Sequence, residues 1–187
     1  MNVFFTKVFH LFGWTIDGKL PTEKKYILVV APHTSNWDLI VGLGARFALG
    51  EKIHFMAKHS VFFFPLGNIL RLLGGIPVDR TRKENKVEQI INLFRSKEKL
   101  AIAITPEGTR SQVSRLKEGF YYMALDAKIP LVLVGFDYKS KQVKISDAFW
   151  PTGSINSDFP QIIAYFRTIN GRFPKEIPDF SPKSKPK

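Results

Sequence analysis

The sequence predicts an α/β fold with a mainly parallel central sheet and helices on both faces. Short apolar, β-branched runs alternate with longer segments in which apolar residues recur at helical spacing, as in βαβ units. Polar residues follow several of these runs directly, which is typical of the carboxyl ends of buried parallel strands. The chain of 187 residues has no internal repeat or dividing linker, and its length suits one domain with a substantial core.

Composition narrows the classes of function. The chain has no cysteine and only 4 histidines, which argues against disulfides and against Cys- or His-rich metal centres. No other cofactor is expected. A formal net charge of +12 predicts an anionic partner. The 17 phenylalanines favour an anionic membrane surface over nucleic acid, which we do not expect to be bound. An RNA-binding sheet is the alternative.

Residues 1–14 have the pattern of an amphipathic helix. Phe5, Val8, Phe9 and Phe12 fall on one face at helical spacing. The segment is shorter than the roughly 20 apolar residues that span a bilayer, and it lacks the pattern of a secretory signal. Two interpretations remain open: the helix packs on the core of the domain, or it lies in the bilayer interface.

A strand over 26–31, a helix over 35–49 and a second strand over 52–57 follow. Residues 61–73 are the most apolar part of the chain, but Pro65 and a basic residue argue against a simple transmembrane helix. The preferred interpretation for most of them is a core helix interrupted by the proline. The alternative is the wall of an apolar channel or a membrane-facing patch.

The same alternation continues to the end of the chain. Strands are predicted over 76–78, 100–105 and 129–137, with a hairpin partner at 142–145, and helices over 84–96, 119–127 and 155–169. The basic, proline-rich tail is expected to fray from Arg172. The predicted organisation is an amphipathic N-terminal helix (1–18), one central domain (19–172) and a basic flexible tail (173–187).

Three polar clusters each follow a predicted strand. They are residues 33–38 (His-Thr-Ser-Asn-Trp-Asp), Asp79 with Arg80, and residues 106–111 (Pro-Glu-Gly-Thr-Arg-Ser). Ligands of such sheets bind outside the carboxyl ends of the strands, so we expect the clusters to share one edge. Helix capping is the competing explanation for residues 33–38, and their expected convergence with the other clusters favours a functional site.

His33 and Asp38 are the candidate catalytic pair. A neutral imidazole accepts a proton near neutral pH, and a carboxylate on its second nitrogen fixes the tautomer. The spacing of five residues would separate the side chains in a continuous helix, but they can meet if His33 lies in the preceding turn. No Ser, Cys or Thr is marked as a covalent nucleophile, so the simplest proposal is direct action on a substrate hydroxyl.

Arg80 and Arg110 follow strands and can bind phosphate through paired N–H donors. Gly108 permits a tight turn whose backbone N–H groups can help to bind an anion. Glu107 can order this loop, pair with an arginine or hydrogen-bond a substrate hydroxyl, and the sequence leaves these roles open. A surface salt bridge is the alternative for either arginine alone, but both beside a His–Asp pair indicate a phosphate-bearing substrate.

These clusters resemble the conserved blocks of the glycerolipid and lysophosphatidic acid acyltransferases. Residues 33–38 match the His-x4-Asp block, and residues 75–80 (Gly-Ile-Pro-Val-Asp-Arg) look like the second block. Residues 106–111 are similar to the third block and residues 129–134 (Ile-Pro-Leu-Val-Leu-Val) to the fourth. All four occur in the family's order, over most of the chain.

The resemblance implies a glycerol-phosphate acyltransferase-like fold and transfer of an acyl group from acyl-CoA or acyl-carrier protein to a lysophospholipid, by default 1-acylglycerol-3-phosphate. His33 would be the general base and Asp38 its orienter, with no acyl-enzyme and no metal. The implied substrate-binding residues are Lys58, Arg80, Glu107, Gly108, Thr109, Arg110 and Ser111. Pro32 and Leu133 depart from residues common in the family at those positions.

The acyl thioester and the lysophospholipid both carry long acyl chains. The resemblance therefore also implies a peripheral or monotopic enzyme at the cytoplasmic face of a membrane. The net charge agrees with this expectation, because each basic residue near an anionic leaflet contributes ~1 kcal/mol. Three alternatives remain: a non-catalytic basic module that binds lipid or RNA, a lipid hydrolase that uses the dyad on water, and an acyltransferase whose acceptor carries no phosphate.

Overall fold

The computed structural model describes residues 2–78 and 86–180. Its helices are α1 (Val3–Leu11), α2 (Trp37–Leu49), α3 (Leu66–Leu72), α4 (Lys86–Ser96), α5 (Gly119–Ala127) and α6 (Ile155–Arg167), with a short 3-10 helix at His59–Val61. Its strands are β1 (Thr15–Asp17), β2 (Lys25–Val30), β3 (Ile53–Lys58), β4 (Gly75–Val78), β5 (Leu100–Ile104), β6 (Leu131–Asp137) and β7 (Gln142–Phe149). Most of the predicted elements are present, with boundaries that differ by a few residues at most.

The strands form one seven-stranded sheet in the order β1-β7-β6-β2-β5-β3-β4. The neighbours from β6 to β4 pair in parallel, while β7 runs antiparallel to β6 as the predicted hairpin. The mainly parallel sheet is therefore confirmed. Strand β1 was not predicted, and its residues fell within the predicted N-terminal helical segment. Three residues show too little periodicity to indicate a strand, and β1 is held by its pairing with β7.

Helices cover both faces of the sheet, as predicted. Successive side chains of the central strand β2 point to opposite faces of the sheet, with Leu28 and Val30 on one face and Ile27 and Val29 on the other. Both pairs are buried. Helices α1 and α2 pack with the first pair, whereas α4, α5 and α6 pack with the second. Burial on both faces explains why β2 is a continuous apolar run without polar alternation.

Helix α1 confirms the predicted amphipathic N-terminal helix. Phe9 is buried against α2, where a Cβ on Gly44 would lie 2.9 Å from its ring. Phe5 stacks on Phe47 of α2 with ring centroids 5.0 Å apart, but Phe12 is 70% exposed. The helix thus packs on the domain along one edge and leaves apolar side chains uncovered. Among the described residues, no helix has both the length and the apolar character required to cross a membrane.

The interpretation of residues 61–73 as a core helix is wrong for most of them. The segment is divided between the 3-10 helix and α3, and it buries Phe62 and Leu70. Phe64 and Leu72 are 84% and 85% exposed, and several neighbouring apolar side chains are also uncovered. Apolar content alone could not separate a core helix from an exposed apolar surface, because both have the same composition.

The expectation that the chain frays from Arg172 is wrong for residues 172–180. The backbone N–H groups of Arg172 and Phe173 donate to Thr34 Oγ1 at 3.0 and 3.4 Å, and Ile177 is buried. Residues 181–187 lie outside the described residues. We refer to residues 170–180 as the C-terminal segment. The proline- and lysine-rich composition of the whole tail from residue 172 to residue 187 predicts disorder, but the partners of the C-terminal segment lie in loops distant in sequence.

Candidate active site

The predicted site clusters lie where parallel strands end. Residues 33–38 follow β2 and residues 106–111 follow β5, which pairs directly with β2 in parallel. Lys58 ends the neighbouring strand β3 and is exposed. These residues therefore occupy one edge of the sheet, as the sequence analysis expected. Asp79 and Arg80 follow β4 in sequence, but both lie outside the described residues.

The turn between β2 and α2 places His33 and Asp38 side by side. His33 lies in the turn and Asp38 lies in the first turn of α2, so the two are not separated by a continuous helix. His33 Nδ1 is 2.8 Å from Asp38 Oδ2. The imidazole is 25% exposed, whereas the carboxylate is 4% exposed. The structure brings the pair together, and the roles of base and orienter stay predictions.

The turn before α2 is held by side chains that accept backbone N–H groups. Asn36, the N-cap residue of α2, makes no side-chain cap hydrogen bond, and Ser35 Oγ accepts the backbone N–H of Trp37 at 3.2 Å. Asp38 Oδ2 accepts the backbone N–H groups of Thr34 at 2.9 Å and Ser35 at 3.0 Å. The polar residues of the turn therefore order it, and the same Asp38 carboxylate holds the imidazole of His33.

Asp38 is held as a carboxylate. Burial acts to raise its pKa, but hydrogen bonds from His33, Tyr138, Ser35 and Thr34 outweigh it and leave the pKa below its usual value. An ionised Asp38 can only accept at Oδ2, so Nδ1 of His33 carries the proton. The other ring nitrogen, Nε2, is then the atom that can accept a proton from a substrate.

Tyr138 is a site residue that the sequence analysis missed. Its hydroxyl donates to Asp38 Oδ1 at 2.7 Å, and its ring packs edge-on against Trp14. Burial and the neighbouring Asp38 raise the pKa of Tyr138, which keeps the hydroxyl protonated as a donor. A signal was available, because Tyr138 follows β6, another parallel neighbour of β2, at the same sheet edge.

Glu107 takes the loop-ordering role that the sequence left open. Its Oε2 accepts the backbone N–H of His33 at 2.7 Å, and its Oε1 lies 2.9 Å from Lys175 Nζ. Burial raises its pKa, against the opposing effects of the Lys175 hydrogen bond and the His33 N–H. The carboxylate is buried, so it orders the two loops from beneath. Lys175 carried no motif or periodicity that could have marked it.

The rest of the loop after β5 is more open. Arg110 is exposed, and its Nη1 donates to Asn36 Oδ1 across the site. Gly108 adopts φ +66° and donates its N–H to Thr105 O at 3.2 Å, which is the predicted tight turn. Thr109 and Ser111 are exposed beside it. Within residues 2–78 and 86–180, no three His, Asp or Glu side chains group as metal ligands.

Comparisons with known proteins connect this geometry to a family. A family model described as "Acyltransferase" matches residues 15–137. Three relatives are 1-acyl-sn-glycerol-3-phosphate acyltransferases. The Haemophilus influenzae protein is 24% identical over 81% of this chain and 65% of its own length. The Saccharomyces cerevisiae protein is 33% identical over 64% of this chain and 41% of its own length, and the human beta form is 28% identical over 74% and 51%.

A solved structure shares the fold. The 1-acyl-sn-glycerophosphate acyltransferase PlsC from Thermotoga maritima superposes with a TM-score of 0.61, at 17% identity over 88% of this chain and 74% of that chain. The present chain spans 41% to 65% of the three curated relatives, so it matches part of each. The matched residues 15–137 include His33, Asp38 and the whole loop 106–111. On these matches, the chain belongs to the acyltransferase family.

Proposed function

We propose that the chain transfers a fatty acyl group from an acyl thioester, either acyl-CoA or acyl-carrier protein, to the hydroxyl of a lysophospholipid. By default the acceptor is 1-acylglycerol-3-phosphate, the substrate in the names of the relatives. The observation that carries the proposal is the 2.8 Å contact between His33 Nδ1 and Asp38 Oδ2, made by a part-exposed imidazole and a buried carboxylate.

The proposed reaction needs one base. His33 Nε2 takes the proton of the acceptor hydroxyl as its oxygen bonds to the thioester carbonyl carbon. The C–S bond then breaks, and the leaving thiolate takes the proton from Nε2, so the products are an ester and a free thiol. Asp38 stabilises the charged imidazole between these steps. General-base catalysis of this kind contributes roughly 10²- to 10⁴-fold.

Binding of the acceptor phosphate is assigned to the exposed cations and hydroxyls at the sheet edge. Arg110 presents a planar guanidinium that matches phosphate geometry, and it already reaches across to the turn that holds His33. Lys58 adds a second exposed cation at the end of β3. Thr109 and Ser111 offer hydroxyls to the glycerol part, and Arg80 remains the predicted partner from the second block.

We further propose that the chain works as a peripheral protein on an anionic membrane, at its cytoplasmic face. Leu11 and Phe12 of α1 and Phe64 and Leu72 beside and within α3 are exposed apolar side chains. Helix α2 contacts both regions, since α1 packs on it and Arg46 Nη1 donates to Leu73 O at 2.6 Å. The apolar surfaces therefore adjoin the helix that begins at the dyad, which suits a lipid acceptor.

Purified chain is assayed with acyl-CoA and with acyl-carrier protein against a panel of lysophospholipids. We expect ester formation, and we expect His33→Ala to lower kcat by roughly 10²- to 10⁴-fold because the general base is removed. His10→Ala, which removes an exposed histidine on α1, is the matched control and should retain kcat. Thermal unfolding of both variants verifies that they are folded.

Each rival activity has its own outcome in this assay. Fatty acid released from the donor without any acceptor would indicate hydrolysis. No acyl transfer to any acceptor, or an unchanged rate in His33→Ala, would contradict the proposed function. Transfer only to acceptors without phosphate would agree with the proposed role of the His33–Asp38 dyad. It would contradict the assignment of Arg110 and Lys58 to binding of the acceptor phosphate.

Membrane attachment is tested by co-sedimentation with vesicles of phosphatidylcholine, alone or with phosphatidylglycerol. Replacing Phe12 or Phe64 by Ser should lower binding to the anionic vesicles by about tenfold each, because a buried Phe contributes roughly 1.5–3 kcal/mol. The control is Leu125→Ser, a partly exposed apolar residue of α5, which packs on the face of the sheet opposite α1. Equal binding by all three variants would exclude these surfaces as the attachment site.

A further inference from the structure

Lys175 is a buried cation with no role in the proposed reaction. Its side chain is 3% exposed, although it belongs to the C-terminal segment, where several neighbouring residues are exposed. Its Nζ lies 2.9 Å from Glu107 Oε1, 3.0 Å from His33 O and 3.3 Å from Thr109 O. Two of these contacts are hydrogen bonds, to the carbonyls of His33 and Thr109, and the third is an ion pair with the Glu107 carboxylate.

The contacts of this ammonium fix the main chain of the catalytic histidine from both sides. Lys175 donates to the carbonyl of His33, and Glu107, which pairs with Lys175, accepts the N–H of His33 at 2.7 Å. The same Nζ also donates to the carbonyl of Thr109. One ion pair therefore holds both polar main-chain groups of His33 and joins its turn to the loop after β5.

The energetics favour a geometric role over a stabilising one. Removing a lysine and a glutamate from water costs several kcal/mol, which their attraction only roughly offsets, and an apolar pair of similar volume is often equally stable. The distal part of the C-terminal segment is held separately, since Arg167 of α6 donates to Ile177 O at 3.2 Å and Asp179 Oδ1 at 2.7 Å. Burial of Lys175 is thus not required merely to attach the segment.

We propose that Lys175 is a positioning residue of the active site, which holds the His33 main chain, the Glu107 carboxylate and the loop after β5 in the arrangement that the His33–Asp38 pair requires. The residue lies outside the family match, which ends at residue 137. The proposal rests on the function proposed above, because its effect is exerted through His33.

The first test compares Lys175→Met with Arg167→Met. Both variants weaken attachment of the C-terminal segment, but only the first removes the donor to His33. We expect Lys175→Met to lower kcat by about 100-fold, as a small displacement of a catalytic group does, with an unchanged KM for the acyl donor. Arg167→Met should keep kcat within about twofold of the wild type at a temperature where both are folded. Equal kcat values would overturn the proposal.

The double variant Lys175→Met/Glu107→Gln covers the case in which Lys175→Met does not fold. It leaves no unpaired buried charge, so it should regain stability. The His33 carbonyl still lacks its donor, so kcat should stay low. Recovery of the wild-type kcat would show that the pair serves only stability and would overturn the proposal.

Chemical rescue tests whether the positive charge of the Lys175 ammonium is required, separately from the shape of its side chain. The chain has no cysteine, so the thiol of Lys175→Cys is unique and can be alkylated in unfolded protein before refolding. Bromoethylamine restores an ammonium of lysine length, and 1-bromopropane gives an uncharged side chain of the same shape. We expect kcat to return only with the ammonium, and equal activity of the two adducts would contradict the proposal.

An NMR measurement tests the positioning role of Lys175 without requiring any acyl transfer. The backbone amide proton of His33 should resonate far downfield because it donates to a carboxylate at 2.7 Å. In Lys175→Met or in the propyl adduct the resonance should move upfield, whereas it should stay in place in Arg167→Met. An unchanged resonance would refute the positioning role even if no acyl acceptor were found.

Discussion

At the scale of single residues, the site depends on how completely Asp38 is held. Four donors converge on its carboxylate: His33 Nδ1, the N–H groups of Thr34 and Ser35, and the hydroxyl of Tyr138. The hydrogen bonds lower the pKa of Asp38 despite its burial and set its orientation. In the proposed reaction, a carboxylate fixed in this way would need no rearrangement when the imidazole becomes charged, which is how preorganised groups lower a barrier.

The variant Tyr138→Phe removes one donor and keeps the ring. Hydrogen bonds to charged groups contribute roughly 1.5–3 kcal/mol, so we expect kcat to fall by about tenfold. With fewer donors the pKa of Asp38 rises, which an NMR titration of the Asp38 carboxyl carbon measures. Tyr122→Phe on the exposed side of α5 is the control. An unmoved Asp38 titration together with full kcat would contradict this role of Tyr138.

At the scale of elements, α2 connects the site to the apolar surface. Its first turn carries Asp38, and its middle carries Gly44, against which Phe9 of α1 packs. A Cβ at Gly44 would lie 2.9 Å from the ring of Phe9, so the glycine permits the close approach of the two helices. The absence of a Cβ at Gly44 is therefore what allows α1 to pack this closely on α2.

The variant Gly44→Ala should push α1 away from α2. Such overpacking typically costs about 1–3 kcal/mol, which we expect as a lower free energy of unfolding in urea. Gly119→Ala at the start of α5 is the control, because its added Cβ would meet only Val87 Cγ2, at 3.7 Å. That variant should be neutral or slightly more stable, since alanine favours helix. Equal stability of both variants would contradict the packing argument.

At the scale of the whole molecule, a buried carboxylate ties the β6–β7 hairpin to the C-terminal segment. Asp137 at the end of β6 accepts from Lys144 Nζ of β7 at 3.0 Å and from Asn170 Nδ2 of the C-terminal segment at 3.2 Å. Tyr138 donates its N–H to Asn170 O at 2.8 Å. The hairpin of β6 and β7 and the C-terminal segment are thus fixed beside the site by one polar cluster.

The lowered pKa of Asp137 predicts that the folded protein loses stability in acid. Burial acts to raise its pKa, but Lys144, the Ser140 N–H and Asn170 lower it from 3.8 to about 2. Since the folded pKa is depressed, the stabilisation of about 2 kcal/mol is present above the unfolded pKa of 3.8 and is lost as pH falls towards about 2.

Urea unfolding of Asp137→Asn should therefore show lower stability at pH 7 and a weaker pH dependence between pH 3.8 and about 2. Asp126→Asn, which removes one partner of an exposed ion pair with Arg95, is the control and should follow the wild type. A wild-type acid profile in Asp137→Asn would exclude Asp137 as the source of the effect.

Much of the fold and the centre of the site could be predicted because they depend on local pattern. The apolar run of β2 indicates a strand buried on both faces, and polar residues after parallel strands meet at one sheet edge. His33, Asp38 and Arg110 lie at one edge of the sheet, as predicted. Tyr138 directly follows β6 at the same edge, so it could have been predicted on the same grounds.

Other features depend on which surfaces meet, and residue pattern does not encode that directly. The apolar residues 61–73 had the composition of a core helix, yet much of the segment is exposed. The C-terminal segment had the composition of a disordered tail, yet Lys175 lies 142 residues from His33 in sequence and binds its carbonyl.

The sequence by itself determined most of the strands and helices, the sheet edge where the polar clusters meet and the His–Asp pair, because periodicity and turn residues act over a few neighbours. Only the tertiary structure decided what else surrounds that pair. Tyr138, which donates to Asp38, and the Glu107–Lys175 ion pair beneath His33 come from chain segments far apart in sequence, and their buried polar groups are satisfied only when those segments meet.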